Sequence, residues 1–281
     1  MRRKRYVWQL KERELQLGDR TLVMGVLNIT PDSFHDGGRY ADPDRAFARA
    51  VELEEQGADI IDVGAESTRP GSTRIPEAEE LRRLVPVLKR LRGKLAVPVS
   101  VDTYKAGVAA KALELGAEII NDPSALTFDP AIVKVVVQHD AGLVLNHMRG
   151  TPDTWAKLGP LPDVMKTVRQ ELAACVRRAS LAGLEKTRLV VDPGLGFGKR
   201  GEQNFELLAR LSELASLDLP VLVGPSRKSF LPGPEEVGKL FGTAAAVTAA
   251  VLAGAHIVRV HDVKEMIPVI RVADAILEAR H

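Results

Sequence analysis

One cysteine, Cys175, in 281 residues excludes an internal disulfide and fits a reducing compartment. An excess of one charge is missing too. Thirty-nine basic against 37 acidic side chains leave a formal +2, which is no electrostatic footprint for nucleic acid. No apolar run approaches the ~20 residues of a membrane span. No Cys/His cluster has zinc-like spacing. No Gly/Ser or Pro tract divides the chain, so residues 1–281 read as one domain, with 1–20 as an N-terminal extension. The Arg2-Arg3-Lys4-Arg5 cluster has the charge of a signal-peptide start, but Gln9, Lys11, Glu12 and Arg13 interrupt the apolar stretch that should follow. It reads as a solvated basic end. These absences leave a soluble, cytoplasmic protein with no nucleic-acid or membrane partner expected.

What is present is alternation. Short β-rich or apolar runs occur at Leu22–Leu27, Ile60–Val63, Val97–Val101, Glu118–Ile120, Leu143–Leu145, Leu189–Val191, Val221–Val223 and His256–Val260. Between them lie stretches with helical spacing, such as Ala46, Ala50 and Leu53 before Gly57, or Val108, Ala112 and Leu115 before Gly116. A glycine after the last apolar residue suits a left-handed helix C-cap. Strands then end in polar residues, among them Asp62, Asn121 and Arg259. Eight strand–helix units spaced about 33 residues apart predict parallel strands with helical crossovers. The fold class is α/β, a (β/α)8 TIM barrel, with Tyr6–Gly18 adding a strand or hairpin over the barrel bottom. An open doubly wound sheet is the competing architecture.

Active sites of such barrels gather at the C-terminal strand ends, and all eight ends here carry polar or ionisable groups. Any single one has a plain reading. Asp122 and Asp262 read as caps or structural partners, and His147 as a structural hydrogen-bonder. Eight around one rim read as an active site. Asp102, Asn121 and Asp192 offer carboxylates and an amide inside an apolar mouth. Buried carboxylates are costly unless hydrogen-bonded, so these three suit the N–H edge of a flat, nitrogen-rich heterocycle. Lys228 and Arg259 can bond a ring carbonyl or stack on its face. Met148 and Phe197 offer apolar ring contacts, or are ordinary core. Arg259 and His261 share one strand face and, with Asn28, make an anion or metal-phosphate pocket. Gly194-Leu195-Gly196-Phe197-Gly198 matches a dinucleotide fingerprint only loosely. So loose a match sets a dehydrogenase aside.

Met24-Gly25-Val26-Leu27-Asn28-Ile29-Thr30-Pro31-Asp32-Ser33-Phe34, with Asp36-Gly37-Gly38, resembles the first signature of the dihydropteroate synthase family. Glu66-Ser67-Thr68-Arg69-Pro70-Gly71 resembles its second. Asp102-Thr103, Asn121-Asp122, His147-Met148-Arg149-Gly150, Asp192-Pro193-Gly194, Ser226-Arg227-Lys228-Ser229 and Arg259-Val260-His261-Asp262 are similar to the remaining blocks, in family order. The resemblance runs from about Thr21 to the C-terminus. It implies the same barrel and a transferase of folate biosynthesis. Such an enzyme joins 4-aminobenzoate to 6-hydroxymethyl-7,8-dihydropterin diphosphate, with Mg2+ as cofactor, as a homodimer. Carried over by motif, Asp102, Asn121, Asp192 and Lys228 hold the pterin, and Met148, Phe197 and Arg259 sandwich it. Asn28, Arg259 and His261 hold the diphosphate, with Asn28 on the metal. Phe34, Thr68, Arg69 and Pro70 surround the aminobenzoate, with Ser229 near its carboxylate. Asp36 and Arg69 meet when the first two loops close, completing a catalytic set with Lys228, Arg259 and His261.

The chain departs from the family pattern at Ala65, Pro123, Asn146, Pro225 and Pro232-Gly233-Pro234, none of which removes an expected catalytic side chain. Two other readings stand beside the synthase. A pterin-dependent methyltransferase shares barrel and pterin-facing residues but has no use for the Ser-Thr-Arg-Pro-Gly and Ser-Arg-Lys-Ser loops. A non-catalytic pterin-binding homologue has no need of Asn28, Arg259 and His261. The synthase reading predicts a dissociative substitution in which the metal serves the leaving group. It also predicts ordered binding, pterin diphosphate before aminobenzoate.

Overall fold

The computed structural model describes residues 3–30, 42–67, 71–233 and 236–279. A short hairpin of β1 (Tyr6–Gln9) and β2 (Glu14–Leu17) precedes eight parallel strands. They are β3 (Leu22–Asn28), β4 (Ile60–Gly64), β5 (Val99–Asp102), β6 (Ile119–Asp122), β7 (Gly142–Asn146), β8 (Leu189–Asp192), β9 (Leu222–Val223) and β10 (Ile257–Val260). A helix follows each: α1 (Pro43–Glu55), α2 (Glu77–Leu91), α3 (Ala106–Glu114), α4 (Ile132–Gln138), α5 (Val164–Leu181), α6 (Gly201–Ala209), α7 (Glu236–Leu252) and α8 (Val263–Ala279). The strand order β8-β7-β6-β5-β4-β3-β10-β9 leaves β8 and β9 at the two ends. A parallel bridge between Val191 and Val221, with the Val191 N–H donating to the Pro220 carbonyl at 3.0 Å, joins those ends. The sheet closes into the expected (β/α)8 barrel, and the open doubly wound sheet is excluded.

The ninth strand is shorter than its apolar run. Pro220 has no N–H to give, and the Val221 N–H donates to Nδ1 of His256 at 3.1 Å instead of to the ladder. The opening basic cluster is solvated at Lys4 and Arg5 but not at Arg3. Arg3 is buried, with Nη2 2.7 Å from Oδ1 of Asp274 on α8, while Lys4 pairs with Asp218 and Arg5 with Asp19. Neighbouring acids, unseen in a local reading, capture these charges.

Strand side chains alternate with period two. Leu22, Met24, Ile60, Ile119, Val144, Val190, Leu222 and Ile257 point inward and form one buried cluster with Trp8, Leu10 and Leu17 of the hairpin segment. Outward neighbours such as Ile61, Val63, Ile120, Val191, Val258 and Val260 join the larger core under the helices. The hairpin reaches the barrel floor because residue 142 is glycine. A Cβ there would lie 2.6 Å from Leu10 Cδ2 and 3.1 Å from the Trp8 ring. Two residues beyond the inward floor, the same alternation places Asp62, Asn121, Asn146, Asp192 and Arg259 inside the mouth.

Candidate active site at the barrel mouth

The register aligns Asn28 with Gly64, Gly64 with Asp102, and Asp102 with Asn121, while Asn146 aligns with Asp192. Strand geometry alone therefore gathers five polar residues in one rim. A cavity of about 1080 Å³ opens there, walled in part by Asn28, Asp102, Lys228, Ser229, Arg259 and His261. Asn121 and Asp192 are each 4% exposed and do not line it. They belong to the buried layer beside that wall.

Arg259 is the hub. Its Nε donates to Asp62 Oδ2 at 2.6 Å and its Nη2 to Asp102 Oδ2 at 3.0 Å. Asn121 Nδ2 also donates to Asp62 Oδ2, at 3.1 Å. Burial works against the Arg259 charge, yet Asp62 and Asp102 hold its pKa above the usual arginine value. Burial pushes Asp102 up to about 7, with Arg259 opposing and Asp62 adding to the rise. Asp192 is pushed up to about 6 by burial, against the pull of the Gly194 N–H, which donates to Oδ1 at 2.7 Å, and of Lys228. These carboxyls change charge near neutral pH, as groups do at functional sites.

Lys228 sits on a strained turn. Arg227 has φ +57°, a conformation that costs a non-glycine residue of order 1 kcal/mol or more. Its N–H donates to Thr243 Oγ1 at 3.1 Å and its Nε to Asp262 Oδ2 at 2.9 Å. This fixes Asp262 as a structural partner and aims the next side chain inward. Lys228 Nζ lies 3.9 Å from the centre of the Phe197 ring, a cation–π contact. Trp155 packs edge-on against Phe197, centroids 5.5 Å apart, and donates from Nε1 to the Arg149 carbonyl at 2.7 Å. Burial and the Arg259 charge bring the Lys228 pKa down to about 8. Met148 is half-buried on the loop after β7.

His261 Nδ1 and Ser226 Oγ are 3.0 Å apart, and Nε2 lies 3.4 Å from Asn28 Nδ2. Burial first, then Arg259 and Arg227, lower its pKa to about 3. It is a neutral imidazole and offers hydrogen bonds, not charge. With its nitrogen turned to His261, Asn28 has its side-chain oxygen free of that contact. Ser229 is exposed on the cavity wall. Asp122 is wholly buried and accepts from the N–H groups of Ser124 and Leu126 and from Ser124 Oγ, a turn cap. His147 Nε2 meets Glu171 at 2.8 Å, a structural pairing. Phe34, Asp36, Thr68, Arg69 and Pro70 lie outside the described residues.

Three residues escaped the reading by motif. Asp62 stood there only as the polar end of its strand and Asn146 as a departure, while Lys199 was not singled out. The signal for the first two was present: each is two places beyond an inward apolar residue, Ile60 or Val144, and so must face the mouth.

Comparison with known proteins follows from this geometry. The sequence profile of the pterin binding enzyme family matches residues 24–261. The chain is 45% identical over 265 residues to a dihydropteroate synthase of Synechocystis sp., covering 92% of this chain and 91% of that protein. Among solved structures, Xanthomonas albilineans dihydropteroate synthase with 4-aminobenzoic acid superposes with a TM-score of 0.88 at 41% identity, over 96% of this chain and 98% of that one. The Burkholderia cenocepacia dihydropteroate synthase complexed with 7,8-dihydropteroate gives 0.84 at 38% identity, over 98% of each chain.

Proposed function

The chain belongs to the pterin-binding enzyme family, in its dihydropteroate synthase group, and on that premise we propose how its barrel mouth works. It is a transferase of folate biosynthesis. It condenses 6-hydroxymethyl-7,8-dihydropterin diphosphate with 4-aminobenzoate, giving 7,8-dihydropteroate and pyrophosphate. The observation that carries the reading is the convergence at the mouth of buried Asp62, Asn121 and Asp192 with Asp102 and Arg259 of the cavity wall.

In this proposal Asp102, Asn121 and Asp192 meet the polar edge of the pterin. An ionised carboxylate facing a ring N–H makes a charge-assisted bond. Lys228 bonds the ring carbonyl, and Met148, Phe197 and Arg259 cover the faces. Arg259, with the neutral His261 and Asn28, receives the diphosphate, and Ser229 the aminobenzoate carboxylate. An arylamine attacks without first losing a proton, so the site needs no general base. What needs help is departure of the diphosphate from a carbon whose developing charge the electron-rich ring can share. C–O cleavage therefore runs ahead of C–N formation.

Asn28 would hold Mg2+ through its side-chain oxygen. Among the described residues no group of three or more His, Cys, Asp or Glu is placed to hold a metal. One hard oxygen donor fits an ion that arrives with phosphate oxygens and keeps its waters. A bound divalent ion neutralises charge on the leaving group.

A second copy of the chain is the proposed partner. Phe241 and Val237 on α7 and Val272 and Ile276 on α8 are exposed, Phe241 at 68%, and such a patch favours burial against another apolar face. Sedimentation equilibrium checks it. Among the described residues no helix is long and apolar enough to cross a membrane; the proposed cytoplasmic setting rests on the lone, buried, free Cys175. The function is tested by expressing the chain in a strain deleted for its own dihydropteroate synthesis. Growth without added folate products is expected, and no rescue by a well-expressed protein would count against the reading.

A further inference from the structure

Lys199 is 8% exposed and does not line the cavity, and no step above uses it. Its ammonium donates to three carbonyls: His147 at 2.8 Å, Pro193 at 2.8 Å and Gly194 at 2.7 Å. An ammonium has three N–H donors and no acceptor, so three acceptors satisfy it completely. The carbonyls come from two different segments, the loop after β7 and the loop after β8.

Those segments supply the pterin site. Met148 follows His147, Asp192 precedes Pro193, and Phe197 lies three residues beyond Gly194. Backbone bonds already lace them together: the His147 N–H donates to the Asp192 carbonyl at 2.9 Å, and the Arg149 N–H to the Phe197 carbonyl at 3.4 Å. Approach is so close that a Cβ on Gly194, at φ +67°, would lie 1.9 Å from the His147 carbonyl oxygen. Three carbonyl dipoles aimed at one buried point repel one another unless a cation or several donors sit between them.

We propose that Lys199 is a positioning residue for the pterin site: its ammonium staples the loop after β7 to the loop after β8 and so sets the spacing of Met148, Asp192 and Phe197. The assignment rests on the synthase reading for the identity of the ligand. Without the staple the carbonyls of His147 and Gly194 part, and the carboxylate of Asp192 loses its fixed height above the barrel floor. Ser229, assigned to the aminobenzoate, lies on neither of the two stapled loops.

The test compares full-length protein with Lys199→Met and Lys199→Gln, titrated calorimetrically with 6-hydroxymethylpterin, which needs no turnover. Pterin affinity is expected to fall at least tenfold in Lys199→Met. It should fall less in Lys199→Gln, which keeps two N–H donors on a shorter side chain. KM for 4-aminobenzoate, at saturating pterin diphosphate, should stay within twofold. Asp192→Ala should cost less in the Lys199→Gln background than in the wild type, because the two act through one placement. Wild-type pterin affinity in both variants, equal losses for both substrates, or strict additivity with Asp192→Ala would each overturn the assignment. Should the methionine variant fail to fold, the glutamine variant and its cycle with Asp192→Ala decide. A wild-type protein that binds the pterin but forms no dihydropteroate counts against the synthase reading alone.

Discussion

Arg259 Nε stands 2.6 Å from Asp62 Oδ2, and that carboxylate has no exposure to solvent. The pair ties the last barrel strand to the second across the mouth, and Asn121 leans on the same oxygen. Asp62→Asn keeps the shape and removes the charge. Breaking a buried pair costs about 3–5 kcal/mol, and the low end is expected because Asp102 still holds Arg259. KM for the pterin diphosphate should rise with it. Urea unfolding and steady-state kinetics check this, and unchanged stability with unchanged KM would refute the hub role.

Pterin affinity should be bell-shaped in pH. Asp192, held at about 6 by burial, must be ionised to accept ring N–H groups, so affinity falls as pH drops through about 6. Lys199, Lys228 and Arg259 face it and oppose protonation, while Asp102, at about 7, broadens the acid limb. Lys228, at about 8, loses its charge as pH rises past that value. The fold responds in the opposite sense at Asp192. Its raised pKa favours the neutral form, a stabilisation present below the ordinary carboxylate range and lost as pH rises through about 6. Calorimetry across pH 5–9 in about half-unit steps checks the affinity curve. Asp192→Asn should flatten the lower part of the acid limb, and an acid limb identical to that of the wild type would remove Asp192 from the site.

Chelation should slow the reaction without unfolding the protein. With EDTA, turnover is expected to fall about 100-fold or more, the scale of metal stabilisation of a leaving phosphate. Asn28→Ala should raise the Mg2+ concentration for half-maximal rate by about tenfold. Full turnover in EDTA would contradict the role given to Asn28.

Trp8 separates stability from chemistry. It is fully buried in the barrel floor and donates from Nε1 to the Arg188 carbonyl at 3.0 Å. Trp8→Ala should cost about 3–5 kcal/mol while leaving both KM values unchanged, since floor and mouth lie at opposite ends of the strands. Urea unfolding checks the first part. A loss of activity at full stability would show that the hairpin does more than plug the barrel.

Much of this was legible in the chain. Periodicity and the glycine caps placed the eight strands to within a residue or two, because runs such as Ile60-Ile61 and Leu143-Val144-Leu145 are apolar on both faces. Motifs located Asp102, Asn121, Asp192, Lys228, Arg259 and His261 on one rim. What they did not give was pairing. That Arg259 spends its guanidinium on Asp62 and Asp102, or that Arg3 is buried against Asp274, depends on side chains far apart in sequence. The short β9 turned on one imidazole, His256, taking the Val221 N–H. Lys199 was hidden for the same reason: its partners are backbone carbonyls, which carry no sequence signature.

The central claim is that this mouth forms a C–N bond between a dihydropterin and an arylamine. Purified protein incubated with 6-hydroxymethyl-7,8-dihydropterin diphosphate, Mg2+ and 4-aminobenzoate should release pyrophosphate and form 7,8-dihydropteroate in a one-to-one ratio. Asp192→Ala at matched concentration should give little of either. Pyrophosphate without dihydropteroate, or neither product from a folded wild-type protein that binds the pterin, would contradict the account.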